Sequence, residues 1–89
     1  MYFALTCIDK AGALQTRLDN REAHLAFLNG SGKVIFAGPF IEAEKPVGSL
    51  VVIEAEDLAA AEAFAAADPY AVAGLFEGVT IREWRRVIG

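Results

Sequence analysis

The chain contains one cysteine, one histidine and no long apolar run. Cys7 has no second cysteine to bond with, so an internal disulfide is excluded. Its place in an apolar stretch makes it a small buried hydrophobe rather than a reactive thiol. One histidine and one cysteine, far apart in sequence, do not make a metal-ligand spacing, so no metal is expected. No segment approaches the roughly 20 apolar residues that span a bilayer. The N-terminal residues lack the charged, apolar, small-residue order of a secretion signal, and the expected compartment is the cytoplasm. Basic residues are few: 8 Lys and Arg stand against 12 Asp and Glu, for a net charge of −4. With no basic stretch interleaved with aromatics, no nucleic-acid partner is expected. Gly30-Ser31-Gly32 is not a dinucleotide fingerprint, because no helix start follows it, and no cofactor is expected.

What remains is an apolar chain of 89 residues, 55% hydrophobic, which reads as one domain over residues 1–89. A domain this short leaves much surface uncovered, and association is a usual remedy.

Tyr2 to Ile8 reads as a first strand, broken at Asp9-Lys10-Ala11-Gly12-Ala13. A helix follows from Leu14 or Gln15 to Leu28, stopped by Asn29-Gly30-Ser31-Gly32. Lys33 to Ala37 forms a second strand that Gly38-Pro39 ends or turns toward an edge. Ile41 to Val47 reads as a loop, so strands two and three pair through a long connection. Gly48-Ser49 opens the third strand, Leu50-Val51-Val52-Ile53. Asp57 is a candidate N-cap for an alanine-rich helix over Leu58 to Ala67. Asp68-Pro69 halts that helix, Tyr70 to Leu75 makes a short extra turn, and Val79 to Val87 is the last strand.

The order strand, helix, strand, strand, helix, strand is the ferredoxin-like βαββαβ order of an α+β domain. It implies a four-stranded antiparallel sheet with two helices on one face. Val34-Ile35-Phe36-Ala37 and Leu50-Val51-Val52-Ile53 are apolar on both faces, where a half-solvated sheet would alternate. A second copy of the same sheet is the simplest cover, so a homodimer is expected. Leu18, Leu25, Val34, Phe36, Leu50, Val52 and Leu58 are expected to be largely buried.

On the first helix, Leu14, Leu18, Leu25 and Leu28 form an apolar stripe. Arg17, Arg21 and His24 fall at i, i+4 and i+7 and stack along its edge. Histidine is the side chain whose unperturbed pKa lies nearest neutral pH, and a carboxylate that orients one ring nitrogen makes it a useful base. Asp68, in a rigid Asp-Pro-Tyr turn on the same side of the sheet, is the best candidate for that carboxylate. Spacing alone leaves open the plainer reading: His24 as an ordinary helix-edge residue and Asp68 as a turn residue. Arg17 and Arg21 suit an anionic carboxylate or phenolate, and equally suit a solvated helix edge. Ser49 is either a hydrogen-bond donor to a cleft or a strand-end residue. Tyr70 either caps a pocket or packs its ring. Trp84 is assigned to the core or a dimer interface.

The chain resembles the YciI-like (YCII-related) family. The resemblance rests on Asp9 with Ala11-Gly12-Ala13, Arg17, Arg21-x-x-His24-Leu25, Phe27-Leu28, Ala37-Gly38-Pro39 and Gly48-Ser49. It continues through Asp68-Pro69-Tyr70, Gly74-Leu75-Phe76 and Trp84. Phe27, where many relatives have tyrosine, and Lys10, where proline is common, depart from the pattern. The resemblance implies a fold that dimerises through its sheets, as in the dimeric α+β barrel superfamily. It also implies a His–Asp site at His24 and Asp68, and lyase-like or dehydrochlorinase-like chemistry on small aromatic compounds. The expected function is acid–base elimination or isomerisation of a small molecule, with Arg17 or Arg21 neutralising charge on an oxygen. The alternative is a dimer that binds a small ligand or partner in the same cleft without turnover.

Overall fold

Local hydrogen bonding and the alternation of apolar residues set the architecture of the computed structural model, which describes residues 1–89. The elements run β1 (Tyr2–Asp9), α1 (Leu14–Ser31), β2 (Val34–Glu42), β3 (Lys45–Glu54), α2 (Leu58–Ala67), α3 (Pro69–Val72) and β4 (Phe76–Trp84). The strands form one antiparallel sheet in the order β2-β3-β1-β4. This is the ferredoxin-like βαββαβ arrangement, and α3 is a single added turn. No helix is long and apolar enough to cross a membrane.

The core lies between the sheet and the helices. Phe3, Leu5 and Cys7 alternate along β1 and sit opposite Ile53, Val51 and Ser49 of β3. Leu28 from α1 and Ala61 and Phe64 from α2 close over them. Ala61 is fully buried, and its small side chain lets α2 approach the sheet closely. The Asp57 carboxylate accepts a hydrogen bond from the Ala60 N–H at 2.8 Å and caps α2. At the other end of α1, Gly32 takes the left-handed conformation (φ 69°) that a C-terminal cap favours.

Several boundaries and one face differ from the sequence reading. Strand β2 runs on through Gly38-Pro39 to Glu42, because it is an edge strand whose outer N–H groups need no partner. The segment read as a long loop is instead the end of a hairpin. Its turn is Ala43-Glu44, both with positive φ (50° and 66°). Helix α1 continues three residues beyond Leu28, and β4 starts at Phe76 and ends at Trp84.

The larger correction concerns burial. Val52 is buried as expected, and Val34 and Leu50 are half-buried. Leu18, Leu25, Phe36 and Leu58 are 51%, 37%, 42% and 48% exposed. On α1 the buried residues are Arg17, His24 and Leu28. Arg17 and His24 of the polar row turn inward beside Leu28, because the carboxylates of Asp9 and Asp68 meet them there, while Arg21 stays exposed. Leu58 opens α2 at its solvent end, where nothing covers it.

Two predictions follow from the packing. A Cβ at Gly48 would collide with the backbone carbonyl oxygen of Cys7, where β3 lies against β1. Gly48→Ala should therefore lower stability by about 1–3 kcal/mol in urea unfolding; an unchanged midpoint would contradict the close approach. Burial pushes the Cys7 thiol up to about 12, with Asp68 adding to the shift, Arg17 opposing it and Asp9 adding again. Ellman's reagent at about pH 8 should leave native Cys7 untouched and modify it fully in denaturant.

Candidate functional site

The junction of α2 and α3 fixes a carboxylate. Asp68 ends α2 in an extended conformation (φ −60°, ψ 129°) that the following proline favours. Its Oδ1 accepts a hydrogen bond from the Tyr70 N–H at 2.9 Å, which caps α3 with Pro69 at its start. The same carboxylate meets the Nδ1 of His24, at 2.8 Å for Oδ1 and 3.0 Å for Oδ2. Asp68 and His24 are only 5% and 6% exposed.

A carboxylate that already accepts a backbone N–H is an acceptor, so Nδ1 is the ring nitrogen that carries hydrogen. In the neutral ring Nε2 then holds the lone pair. It has no hydrogen-bond partner within the protein, and no buried polar atom is left unsatisfied, so Nε2 opens onto the adjacent cavity. Tyr70 fixes the ring plane. Its phenol stacks on the imidazole with centroids 3.9 Å apart and planes 12° apart. Phe76 abuts Tyr70 edge-on at 6.1 Å.

Arg17 reaches the other side of this cluster. Its Nε and Nη2 fork onto the two oxygens of Asp9 at 2.7 and 2.9 Å. Nη2 also donates to the Ser49 hydroxyl at 3.0 Å, and the guanidinium carbon lies 4.7 Å from the Tyr70 ring centre. Burial is the largest single influence on Arg17 and disfavours its charge, but the hydrogen bond and charge of Asp9, together with the Tyr70 oxygen, outweigh it, and the net effect raises the pKa. Burial likewise raises the Tyr70 phenol, against the opposing charges of Arg17 and Arg21, so Tyr70 is a neutral phenol at neutral pH.

The cavity measures about 340 Å³. That is at the small end for ligand sites and suits one substituted ring. His24, Tyr70, Arg17 and Ser49 supply its polar inner side, and Arg21 stands at its exposed lip. Leu18 and Leu25 of α1 and Ile41 and Pro46 of the hairpin supply apolar wall. Leu18 and Leu25 thus line a cleft rather than the core, which accounts for their exposure. No three His, Cys, Asp or Glu side chains group where they could hold a metal ion.

All six residues singled out from the sequence, Arg17, Arg21, His24, Ser49, Asp68 and Tyr70, line the cavity or bond to a residue that does. The two arginines differ. Arg17 is already matched by Asp9, so an incoming anion would meet Arg21, which is exposed and makes no ion pair. Asp9 was not among the six. The signal was present: an arginine on a helix face turned toward the sheet needs a carboxylate nearby, and Asp9 ends the strand just before that helix.

The YCII-related domain model matches residues 1–85. Protein YciI of Escherichia coli O6:H1 is 38% identical over an alignment that covers 98% of this chain and 99% of that protein. An uncharacterised protein of Haemophilus influenzae is 35% identical over the same shares of both chains. Among solved structures, 5-chloro-2-hydroxyhydroquinone dehydrochlorinase (TftG) from Burkholderia phenoliruptrix AC1100, in complex with 2,5-dihydroxybenzoquinone, matches with a TM-score of 0.92. It is 33% identical, over 98% of this chain and 96% of that one. With the domain matched over nearly its whole length and these identities, the chain belongs to the YciI-like family of YCII-related domain proteins.

Proposed function

We propose that this chain is a small cytoplasmic enzyme that moves protons on a hydroxylated ring compound, with His24 as general base and acid and Asp68 holding it. The reaction class is lyase-like elimination of the dehydrochlorinase kind. One observation carries the reading: a buried carboxylate holds Nδ1, and Nε2 faces a ring-sized cavity with its lone pair free. The likeness to TftG supports the choice of substrate class.

One imidazole suffices for the chemistry. On a chlorinated hydroquinone-type ring, Nε2 takes the proton of one hydroxyl and returns it to the ring carbon that bears chlorine. That gives a ketone with a saturated C–H–Cl centre. Nε2 then takes a second hydroxyl proton, the released electron pair forms a new double bond, and chloride leaves with the C–Cl pair. The net change is loss of HCl, and no oxidant is needed because chloride carries the electrons away. Asp68 stabilises the imidazolium formed in each half. Arg21 offsets charge on a ring oxygen. If the first proton transfer alone occurs, the reaction is an isomerisation.

The protein is expected to work as a homodimer joined through the sheet face opposite the helices. Phe36 and Trp84 meet there edge to face at 5.8 Å, with Tyr2 beside Trp84 at 6.3 Å and Phe36 42% exposed. A contiguous apolar face of this kind marks an interaction surface, and a second copy is its simplest cover. Light scattering at micromolar concentration should give twice the 9.5 kDa chain mass; a 9.5 kDa particle would overturn the dimer.

For the chemistry, chloride release from a chlorinated hydroxyhydroquinone is the direct assay. His24→Asn should reduce kcat/KM by about 10²–10⁴-fold. Asp68→Asn should fall in a similar range with near-normal substrate binding, because the wrong tautomer is then held. Tight binding with no chloride release by the unaltered protein would leave only a ligand-binding dimer.

A further inference from the structure

The hydrogen bonds around Ser49 have a direction that can be assigned without ambiguity. A guanidinium has donors and no acceptor, so in the 3.0 Å contact with Arg17 Nη2 the Ser49 oxygen accepts. The serine's own hydrogen must therefore point elsewhere. It has no acceptor within the protein, Ser49 is 4% exposed, and it lines the same cavity as His24. Accepting from a charged donor also makes that O–H a stronger donor in turn.

From this we infer that the Ser49 hydroxyl donates to an oxygen of the bound ring, and that Asp9 is a positioning residue that aims it through Arg17. The inference rests on the function proposed above and adds a requirement to the substrate. The ring needs two oxygens: one presents a proton to Nε2 of His24, and the other presents a lone pair to Ser49. Leu28, Ala37, Pro39 and Val51 add apolar wall to the same cavity.

Asp9 acts at one remove. Its two oxygens take the Nε and Nη2 hydrogens of Arg17 and lock the guanidinium plane, so that the second Nη2 hydrogen falls on Ser49. An amide in its place has only one accepting oxygen. Its NH2 would face a guanidinium N–H, and the plane would be released.

The test compares hydroquinone with phenol, two uncharged rings that differ by one oxygen, by calorimetric or NMR titration. The protein should bind hydroquinone about tenfold more tightly than phenol. Ser49→Ala should erase that preference and leave phenol binding unchanged. Asp9→Asn should erase it too, and the double variant should be no weaker than Ser49→Ala alone. A merely structural role would weaken both rings together, or give losses that add in the double variant; either result overturns the inference. If Asp9→Asn fails to fold by circular dichroism, Ser49→Ala with the two rings decides the matter. Equal binding of both rings by the unaltered protein defeats this inference alone. No binding of either ring defeats the functional reading and the inference with it.

Discussion

Everything in the cleft depends on a carboxylate kept almost out of water at the joint of α2 and α3. Burying an ionised Asp costs several kcal/mol unless it is bonded on all sides. Asp68 meets that condition with the Tyr70 N–H and the His24 ring, and Pro69 holds the backbone that aims it. The consequences spread outward from there. The bond to Nδ1 chooses the imidazole tautomer. Tyr70, placed by the same turn, stacks on the imidazole and fixes its plane. Arg17 then lies against Tyr70 and is in turn held by Asp9. A chain of this kind stands or falls together, because each buried charge is tolerable only while its partner is present.

The same chain accounts for the orientation of α1. An amphipathic helix ordinarily turns its leucines inward. Here one helix face carries two titratable groups that both have carboxylates waiting, in Asp9 and Asp68. Those bonds hold Arg17 and His24 against the sheet and leave Leu18 and Leu25 on the cavity wall. The site is therefore built from the polar side of the helix, while its apolar side supplies the wall for a flat ligand.

Much of the fold was legible in the sequence because it rested on strong local signals. The apolar run of Tyr2 to Ile8, the Asp57 cap, the alanine helix and the Asp68-Pro69 stop each announce one element, and their order gives the topology. The hairpin was not legible. Tight two-residue turns with positive φ are usually marked by Asn-Gly or Asp-Gly, and Ala43-Glu44 carries no such mark. The burial pattern of α1 is hidden in the sequence for a related reason. Hydrophobic spacing reports which residues share a face but not which face turns inward when the polar face has partners of its own. Within the site, turn chemistry makes Asp68 the best candidate partner for His24, and the family resemblance is what selects that pairing over the plainer reading. Asp9 is harder to read: its place at the end of the strand before α1 is a signal, but its pairing with Arg17 shows only once β1 and α1 are packed.

The central claim is that Asp68 holds the proton on Nδ1 and leaves Nε2 as a free base. Because His24 is the only histidine, nitrogen-15 NMR of the imidazole reads it without assignment ambiguity. At a pH where the ring is neutral, the account predicts a protonated, pyrrole-like Nδ1 and a lone-pair, pyridine-like Nε2. In Asp68→Asn, which can no longer act only as an acceptor, that pattern should shift toward the other tautomer. A proton on Nε2 in the unaltered protein, or a ring averaging freely between tautomers, would contradict the account.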